Sequence, residues 1–370
     1  GPGQAPLTSM QKIDHSAMFD PICKASITLD ANEPEARIAE AIHIANTERP
    51  GPVHVDLPMD FAPSIQTDSH VIGDQNPNDS HRIDGDLKAI SATIDQANKP
   101  VLIVGPVVLR QRVQDDLLSL AEKIQAAVMV TSKARGAIPE DHPLYAGVMS
   151  GVYREETFEG RMMAKSDLVL AVGLDRTELL SPWKHTQPLL TLDAVRVPSD
   201  ETVGVPALAA TGPLSNLLES VTAAVRQRQT WNPSEIHAFW SDVYKELGVE
   251  SSDLNAASVL HRARQLAPRD AILTTEAGIY GRVNLYAWKV YEPGTYFDSS
   301  GTNTMGYSVP AALAASLVRP SQKTISLVGD AGMLMRAGEL ETAARLKLAP
   351  VIIVFDDGTL GMIRIKQQAK

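Results

Sequence analysis

The chain has 370 residues, of which 44% are hydrophobic and 21% are charged, and its formal net charge is −10. This acidic balance argues against a nucleic-acid-binding surface, which needs clustered Lys and Arg. The single cysteine, Cys23, excludes an internal disulfide and is typical of a cytoplasmic protein, and we expect it to pack as a small apolar side chain. We find neither a signal peptide nor an apolar run of about 18 residues, so we expect no membrane segment.

A helix and a strand are the first predicted elements. Residues 33–47 have apolar positions at helical spacing, and a Pro-Gly-Pro turn separates this helix from a strand at 53–57. Residues 62–84 have the composition of a linker, and the alternative is a long surface loop within one domain. The chain does not begin with Met, so we expect further sequence upstream.

Two further units alternate helices with strands. In the first, the predicted helices are 87–98, 115–126 and 214–226, and the predicted strands are 101–105, 127–131, 167–173 and 189–193. In the second, the predicted helices are 256–266, 309–318 and 337–347, and the predicted strands are 271–275, 324–328 and 351–355. A polar stretch with a helix at 235–247 connects the two units. The alternation predicts an α/β fold of successive doubly wound parallel-sheet domains, and we expect the last sheet to continue beyond Lys370.

The sharpest local signal is a glycine-flanked aspartate, Asp330, directly after a predicted strand. Asp357 follows the next strand, so both aspartates are expected at the carboxyl ends of parallel strands, where open α/β sheets bind ligands. Two carboxylates and a loop carbonyl suit Mg²⁺, with phosphate oxygens and water completing its shell. The alternative is a pair of turn aspartates without a metal.

The segment 329–332, together with Asp356 and Asp357, resembles the diphosphate-binding motif of thiamine diphosphate enzymes of the acetolactate synthase and 2-oxo acid decarboxylase group. That motif opens with Gly-Asp-Gly or Gly-Asp-Ala and ends with paired Asn, whose place Asp356 and Asp357 take. The resemblance implies Mg²⁺ ligands at Asp330, Asp357 and the carbonyl of Thr359. The extra charge of Asp357 would strengthen metal binding, weaken diphosphate binding, or mark a copy that has lost the cofactor.

Other segments extend the resemblance over nearly the whole chain. Residues 301–312 resemble the family segment against the aminopyrimidine ring, which implies that Met305 wedges the cofactor into its bent shape and that the Asn303 carbonyl accepts a hydrogen bond from it. The alternative for Met305 is an ordinary core residue. The loop at 275–280 resembles the other phosphate-side loop. The implied cofactor-binding residues are Gly278, Tyr280, Asn303, Met305, Gly329, Asp330, Ala331, Gly332, Asp357 and Thr359.

The same resemblance implies the domain boundaries. Residues 49–60 resemble the segment that closes the family's pyrimidine-binding domain. The expected parts are a remnant of that domain at 1–66, a linker at 67–85, a central Rossmann-like domain at 86–228, a second linker at 229–253, and the first part of the diphosphate-binding domain at 254–370. The central domain lacks both the Arg-Phe-Asp-Asp-Arg run of FAD-containing acetolactate synthases and a G-x-G-x-x-G fingerprint, so we expect no FAD.

The resemblance therefore implies a thiamine diphosphate and Mg²⁺ enzyme that cleaves or joins carbon–carbon bonds of a small 2-oxo acid, working as a homodimer or homotetramer. The family's activating Glu is expected upstream of this chain, so we assign no catalytic residue and expect these residues alone to be poorly active. One alternative is a non-catalytic paralogue or scaffold subunit, which Asp357 and the missing sequence both favour. Another is nucleotide binding by the central unit.

Overall fold

The computed structural model describes residues 13–29, 34–58, 82–150, 156–178, 185–196, 204–301 and 303–368. The chain divides into two units, one ending at Arg82 and the other beginning at Ile83. The predicted linker at 67–85 lies outside the described residues except for 82–85. In the described ranges, no helix is long and apolar enough to cross a bilayer.

The first unit pairs two parallel strands with two helices. Its elements are α1 (His15–Phe19), β1 (Ala25–Thr28), α2 (Pro34–Asn46) and β2 (Val53–Asp56). Ala25 of β1 lies opposite Val53 of β2, and α2 is the crossover between them. The predicted helix and strand are confirmed, whereas α1 and β1 were not predicted. Cys23 is half-buried and free.

The second unit begins with a parallel sheet in the order β5-β4-β3-β6-β7-β8. Its elements, with the helix that follows, are α3 (Leu87–Gln96), β3 (Pro100–Val104), α4 (Val107–Arg110), α5 (Gln114–Ile124), β4 (Ala127–Thr131), β5 (Tyr145–Met149), α6 (Phe158–Met163), β6 (Leu168–Val172), β7 (Leu189–Asp193), β8 (Leu208–Thr211), α7 (Leu214–Ala224) and α8 (Pro233–Leu247). Strands β3 to β7 are buried at every position, because helices cover both faces and apolar side chains can then occupy successive residues.

The polar connecting stretch contains a helix that is packed into the core. Along α8, Ile236, Phe239, Trp240 and Val243 are buried. The indole N–H of Trp240 donates to the Tyr145 carbonyl at 2.9 Å, and the two rings stack 5.6 Å apart. The apolar face of α8 therefore closes over the β5 side of the sheet.

The same unit contains a second parallel sheet in the order β10-β9-β11-β12. Its elements are α9 (Ala256–Leu266), β9 (Ile272–Thr274), α10 (Tyr280–Ala287), β10 (Tyr296–Phe297), α11 (Ser308–Val318), β11 (Thr324–Gly329), α12 (Asp330–Met335), α13 (Glu339–Leu346), β12 (Val351–Phe355) and α14 (Gly361–Gln368). From β9 the chain moves outward to β10 and then returns to β11 on the other side. The chain segments that follow β9 and β11 therefore diverge, and such a switch point is where open α/β sheets bind ligands.

A buried carboxyl group lies at the corresponding edge of the first sheet. Glu178, in a 3₁₀ turn after β6, is 7% exposed and accepts hydrogen bonds from Thr131 Oγ1 at 2.6 Å and Lys133 N at 2.8 Å. Burial outweighs these hydrogen bonds and raises the pKa of Glu178 to about 7. The Glu178 carboxyl therefore binds a proton in the folded protein over a pH range in which an unfolded chain has lost it.

We expect Glu178→Gln to stabilise the protein above neutral pH. Because the folded-state pKa of about 7 exceeds the ordinary value of 4.5, Glu178 makes stability fall as pH rises from 4.5 to about 7, and the loss is complete above that range. A neutral Gln does not undergo this loss, which is about 3 kcal/mol at most. We therefore expect Glu178→Gln to raise the free energy of unfolding by about 1–3 kcal/mol at pH 8 and to change it little at pH 5. Urea denaturation across this range measures both, with exposed Glu219→Gln as the matched control. Parallel pH profiles for Glu178→Gln and wild type would contradict the prediction.

Candidate functional site

A cavity of about 420 Å³ opens at the switch point of the second sheet. Its wall includes all ten residues expected from the sequence to bind one ligand, which are Gly278, Tyr280, Asn303, Met305, Gly329, Asp330, Ala331, Gly332, Asp357 and Thr359. These residues come from four chain segments at the carboxyl ends of β9, β10, β11 and β12, so the parallel strands place the four segments at one edge.

The two aspartates of the expected metal site lie on adjacent strands. Gly329 pairs with Phe355 in the β11–β12 register, so Asp330 and Asp357 leave the sheet side by side. Asp330 is half-buried at the first position of α12. Asp357 is exposed, and its Oδ1 accepts a hydrogen bond from Thr359 N at 3.1 Å. This local turn fixes the Asp357 carboxylate on the cavity wall next to the backbone of Thr359.

Tyr280 forms part of the cavity wall beside these strand ends. Its ring is 5% exposed and stacks on Phe355 with centroids 4.9 Å apart. Gly278 makes this position possible, because a Cβ atom there would lie 2.8 Å from Tyr280 Cζ. Burial and then the nearby charge of Glu276 raise the pKa of the Tyr280 hydroxyl, so it remains a proton donor. That hydroxyl is buried, and its proton has no acceptor among the described residues.

The loop after β10 brings Asn303 and Met305 to the cavity. Asn303 adopts a left-handed backbone conformation with φ of 53°, which Asn tolerates better than most residues, and its N–H donates to Ser299 O at 3.0 Å. Met305 is half-buried. Arg336 Nε donates to the carbonyl of Gly306 at 3.2 Å, so the end of α12 supports this loop.

Several cavity residues were missed by the sequence predictions. Glu276 ends the strand-to-loop sequence Thr-Thr-Glu, and its position after a strand was the available signal. Ala277, Ile279 and Asp356 lie in segments that resemble the family's phosphate-side motifs, but they were not selected as cofactor-binding residues. For the remaining ones, nothing in the spacing distinguished them from core residues; they are Ala256, Phe355, Leu360, Gly361, Met362 and Ile363.

The charges on the cavity wall are all of one sign. Four carboxylates line it, from Glu276, Asp330, Asp356 and Asp357, and none of the described lining residues is Lys, Arg or His. An anionic ligand would therefore be repelled unless a cation accompanied it. In the part of the chain that the structure describes, no cluster of three or more His, Cys, Asp or Glu side chains could hold a metal by itself. A cation at Asp330 and Asp357 would need further oxygens from the backbone, the ligand or water.

Comparisons with known proteins agree on one family. The thiamine pyrophosphate enzyme central-domain model matches residues 87–205, and the C-terminal TPP-binding-domain model of the same enzymes matches residues 276–370. Similar curated proteins include a probable acetolactate synthase large subunit of Methanocaldococcus jannaschii, at 27% identity over 96% of this chain and 63% of that protein. The acetolactate synthase of Bacillus subtilis is 27% identical over 97% of this chain and 65% of its own length.

Another similar protein, which is not named an acetolactate synthase, is the probable 2-ketoarginine decarboxylase of Pseudomonas aeruginosa, at 28% identity over 95% of this chain and 63% of that protein. The chain thus spans less than two thirds of each of these relatives. The two family models match in chain order, and the second begins at Glu276 on the cavity wall. The chain therefore belongs to the thiamine pyrophosphate enzymes, in their acetolactate synthase-like group.

Proposed function

We propose that this chain binds thiamine diphosphate together with Mg²⁺ in the cavity at the switch point of its second sheet. The observation that supports this most directly is the convergence of Asp330 and Asp357 on an acidic cavity wall without basic side chains. Such a wall accepts a diphosphate only through a divalent cation, and hard carboxylate oxygens are the ligands that Mg²⁺ prefers. The proton of the buried Tyr280 hydroxyl has no acceptor among the described residues, and a diphosphate oxygen would supply one.

The residues take separate roles in this proposal. Asp330, Asp357 and the carbonyl of Thr359 would hold the metal. Tyr280 would donate a hydrogen bond to the diphosphate, and the carbonyl of Asn303 would accept one from the aminopyrimidine. Met305 would press against the apolar side of the cofactor. Gly278, Gly329, Ala331 and Gly332 would let the backbone approach the diphosphate, because their side chains are absent or small.

We further propose that the whole protein cleaves or joins carbon–carbon bonds of a 2-oxo acid. The bound cofactor supplies an electron sink for the bond that is cleaved, and the protein supplies binding and orientation. Relatives named acetolactate synthase and 2-ketoarginine decarboxylase support this reaction class. The proposal includes a homodimer or homotetramer in the cytoplasm and an activating Glu contributed by sequence outside these residues.

The second candidate is a non-catalytic family member that has lost the cofactor. The observation that favours it is the Asp356-Asp357 pair, which adds negative charge where the family motif has Asn. In that case Asp357→Asn would restore binding, because it removes repulsion of the diphosphate while it keeps a metal-binding oxygen.

Calorimetry of the 370-residue chain with thiamine diphosphate tests the proposal. We expect a binding signal with Mg²⁺ and none with EDTA, and we expect thiamine without its diphosphate to bind far more weakly. A signal of equal size in EDTA would contradict the metal-dependent site. Absence of binding in wild type with binding by Asp357→Asn would favour the second candidate. Turnover of a panel of 2-oxo acids by the full-length protein then tests the reaction class.

A further inference from the structure

Glu276 is a buried carboxylate on the cavity wall for which the proposed cofactor site has no role. Its side chain is only 4% exposed. Glu276 Oε2 accepts a hydrogen bond from Ser308 N at 2.8 Å, at the first residue of α11. Glu276 Oε1 is also buried and has no hydrogen-bond partner among the described residues. Glu276 Oε2 is thus held by the first residue of α11, whereas Glu276 Oε1 makes no hydrogen bond and lies beside Gly332.

The anchor of Glu276 is itself rigid. Ser308 is fully buried, and its hydroxyl donates to the Thr274 carbonyl at 3.0 Å and lies 2.7 Å from Ser326 Oγ. Thr274 Oγ1 in turn donates to the Ser308 carbonyl at 2.9 Å. These bonds join the start of α11 to β9 and β11 below the switch point. Glu276 therefore cannot move its bound oxygen without breaking a buried hydrogen bond.

The free oxygen of Glu276 occupies the space beside Gly332. A Cβ atom at Gly332 would overlap Glu276 Oε1 and would lie 2.9 Å from its Cδ and 3.2 Å from Val328 Cγ2. Because the other oxygen is held by Ser308, the carboxylate cannot swing aside freely. The first turn of α12, which presents Asp330, thus rests directly on a side chain from the loop after β9.

We propose that Glu276 is a positioning residue that sets the separation between the loop after β9 and the start of α12, and so places Asp330 for metal binding. This inference rests on the proposed function. The backbone supports the same coupling, because Ala277 N lies 3.5 Å from Thr304 O in the loop that presents Met305. Glu276 acts by shape and by its hydrogen bond to α11, and it neither binds the metal nor touches the substrate.

A double-mutant cycle between Glu276 and Gly332 tests this assignment. Binding of Mg²⁺ and thiamine diphosphate is measured by calorimetry, and the midpoint of thermal unfolding is measured in parallel. Gly332→Ala is expected to weaken binding by about tenfold or more, which is the effect of disturbing groups that orient metal ligands. Combining Gly332→Ala with Glu276→Ala should restore much of that loss, because the added methyl group then fits the vacated space. Gly338→Ala is the matched control, since a Cβ there meets nothing within 4 Å.

Conservative variants separate positioning from folding. Glu276→Gln keeps the shape and an acceptor for Ser308 N, so its affinity should stay close to wild type, whereas Glu276→Ala alone should lose about tenfold or more. Equal losses for Gly332→Ala in both backgrounds, or changes in unfolding midpoint without changes in affinity, would overturn the inference. If wild type itself binds no thiamine diphosphate with Mg²⁺, the proposed function fails instead.

Discussion

Replacing Asp330 with Ala is expected to abolish Mg²⁺-dependent binding of thiamine diphosphate. Changes to groups that only orient metal ligands weaken metal binding about 10–100-fold, so loss of a direct carboxylate ligand should weaken it by roughly 100-fold or more. The effect should fall mainly on ligand binding rather than on folding, because Asp330 is half-buried at the start of α12 and lines the cavity. Calorimetry with and without Mg²⁺ measures the affinity for thiamine diphosphate, and thermal unfolding measures the stability of the variant.

Asp356→Ala provides a matched control for this prediction. Asp356 lines the same cavity and has the same charge, but its Oδ1 is bound to Gly358 N at 2.9 Å and it has no assigned role in metal binding. We expect Asp356→Ala to change the affinity far less than Asp330→Ala. Similar losses in the two variants would mean that the net charge of the cavity, rather than a defined metal site, controls binding.

The sequence predicted the strands and helices that carry strong periodic patterns. The elements α11, β11, α13 and β12 were placed within a few residues, because the two strands read as continuous apolar runs and α13 is amphipathic. The helices α12 and α14, which follow the two strands, were not predicted. The prediction that Asp330 and Asp357 lie at the same edge of the sheet needed only the assumption that their strands are parallel. The prediction that Gly278 and Asn303 line the same site needed the resemblance to thiamine diphosphate enzymes as well, because strand order cannot be read from one sequence.

Helix α10 shows why other features were missed. Tyr280 and Ala287 pack in the core of the second sheet, whereas Leu285 and Tyr286 pack in the core of the first. A helix buried on two sides has no single apolar stripe, so it lacks the periodic signal on which prediction depends. The role of Glu276 could not be predicted either, because its partners Ser308 and Gly332 are distant in the sequence and only the fold brings them together.

Replacing Glu140 with Ala is expected to destabilise the protein by about 3–5 kcal/mol, because it leaves a buried guanidinium without its counter-ion. Arg135 Nε donates to Glu140 Oε1 at 2.7 Å, and Arg135 Nη2 donates to Glu140 Oε2 at 2.9 Å. Both residues are 2% exposed. Burial alone would lower the pKa of Arg135, but the Glu140 carboxylate raises it above its ordinary value, so Arg135 is charged at every accessible pH. Urea denaturation measures the change.

Two further variants serve as controls for Glu140→Ala, one at an exposed ion pair and one that replaces the buried ion pair with apolar side chains. Glu246→Ala removes the partner of Arg161 at the surface and should change the free energy of unfolding by at most about 1 kcal/mol. The double variant Arg135→Met with Glu140→Leu should recover part of the stability, since it removes the unpaired buried charge but leaves Val290 N and the Trp288 carbonyl without these partners. An effect of Glu140→Ala as small as that of Glu246→Ala would contradict the prediction.

The same ion pair connects the stability of the second unit to its cavity. Arg135 also donates to the carbonyl of Trp288 and lies 4.3 Å from the ring centroid of Tyr296, while Glu140 Oε2 accepts from Val290 N at 3.0 Å. These contacts hold the segment after α10 and the strand β10 against the loop that follows β4. Since α10 begins at Tyr280 and β10 leads to Asn303, Glu140→Ala should also weaken cofactor binding, although Glu140 itself is not among the residues that line the cavity.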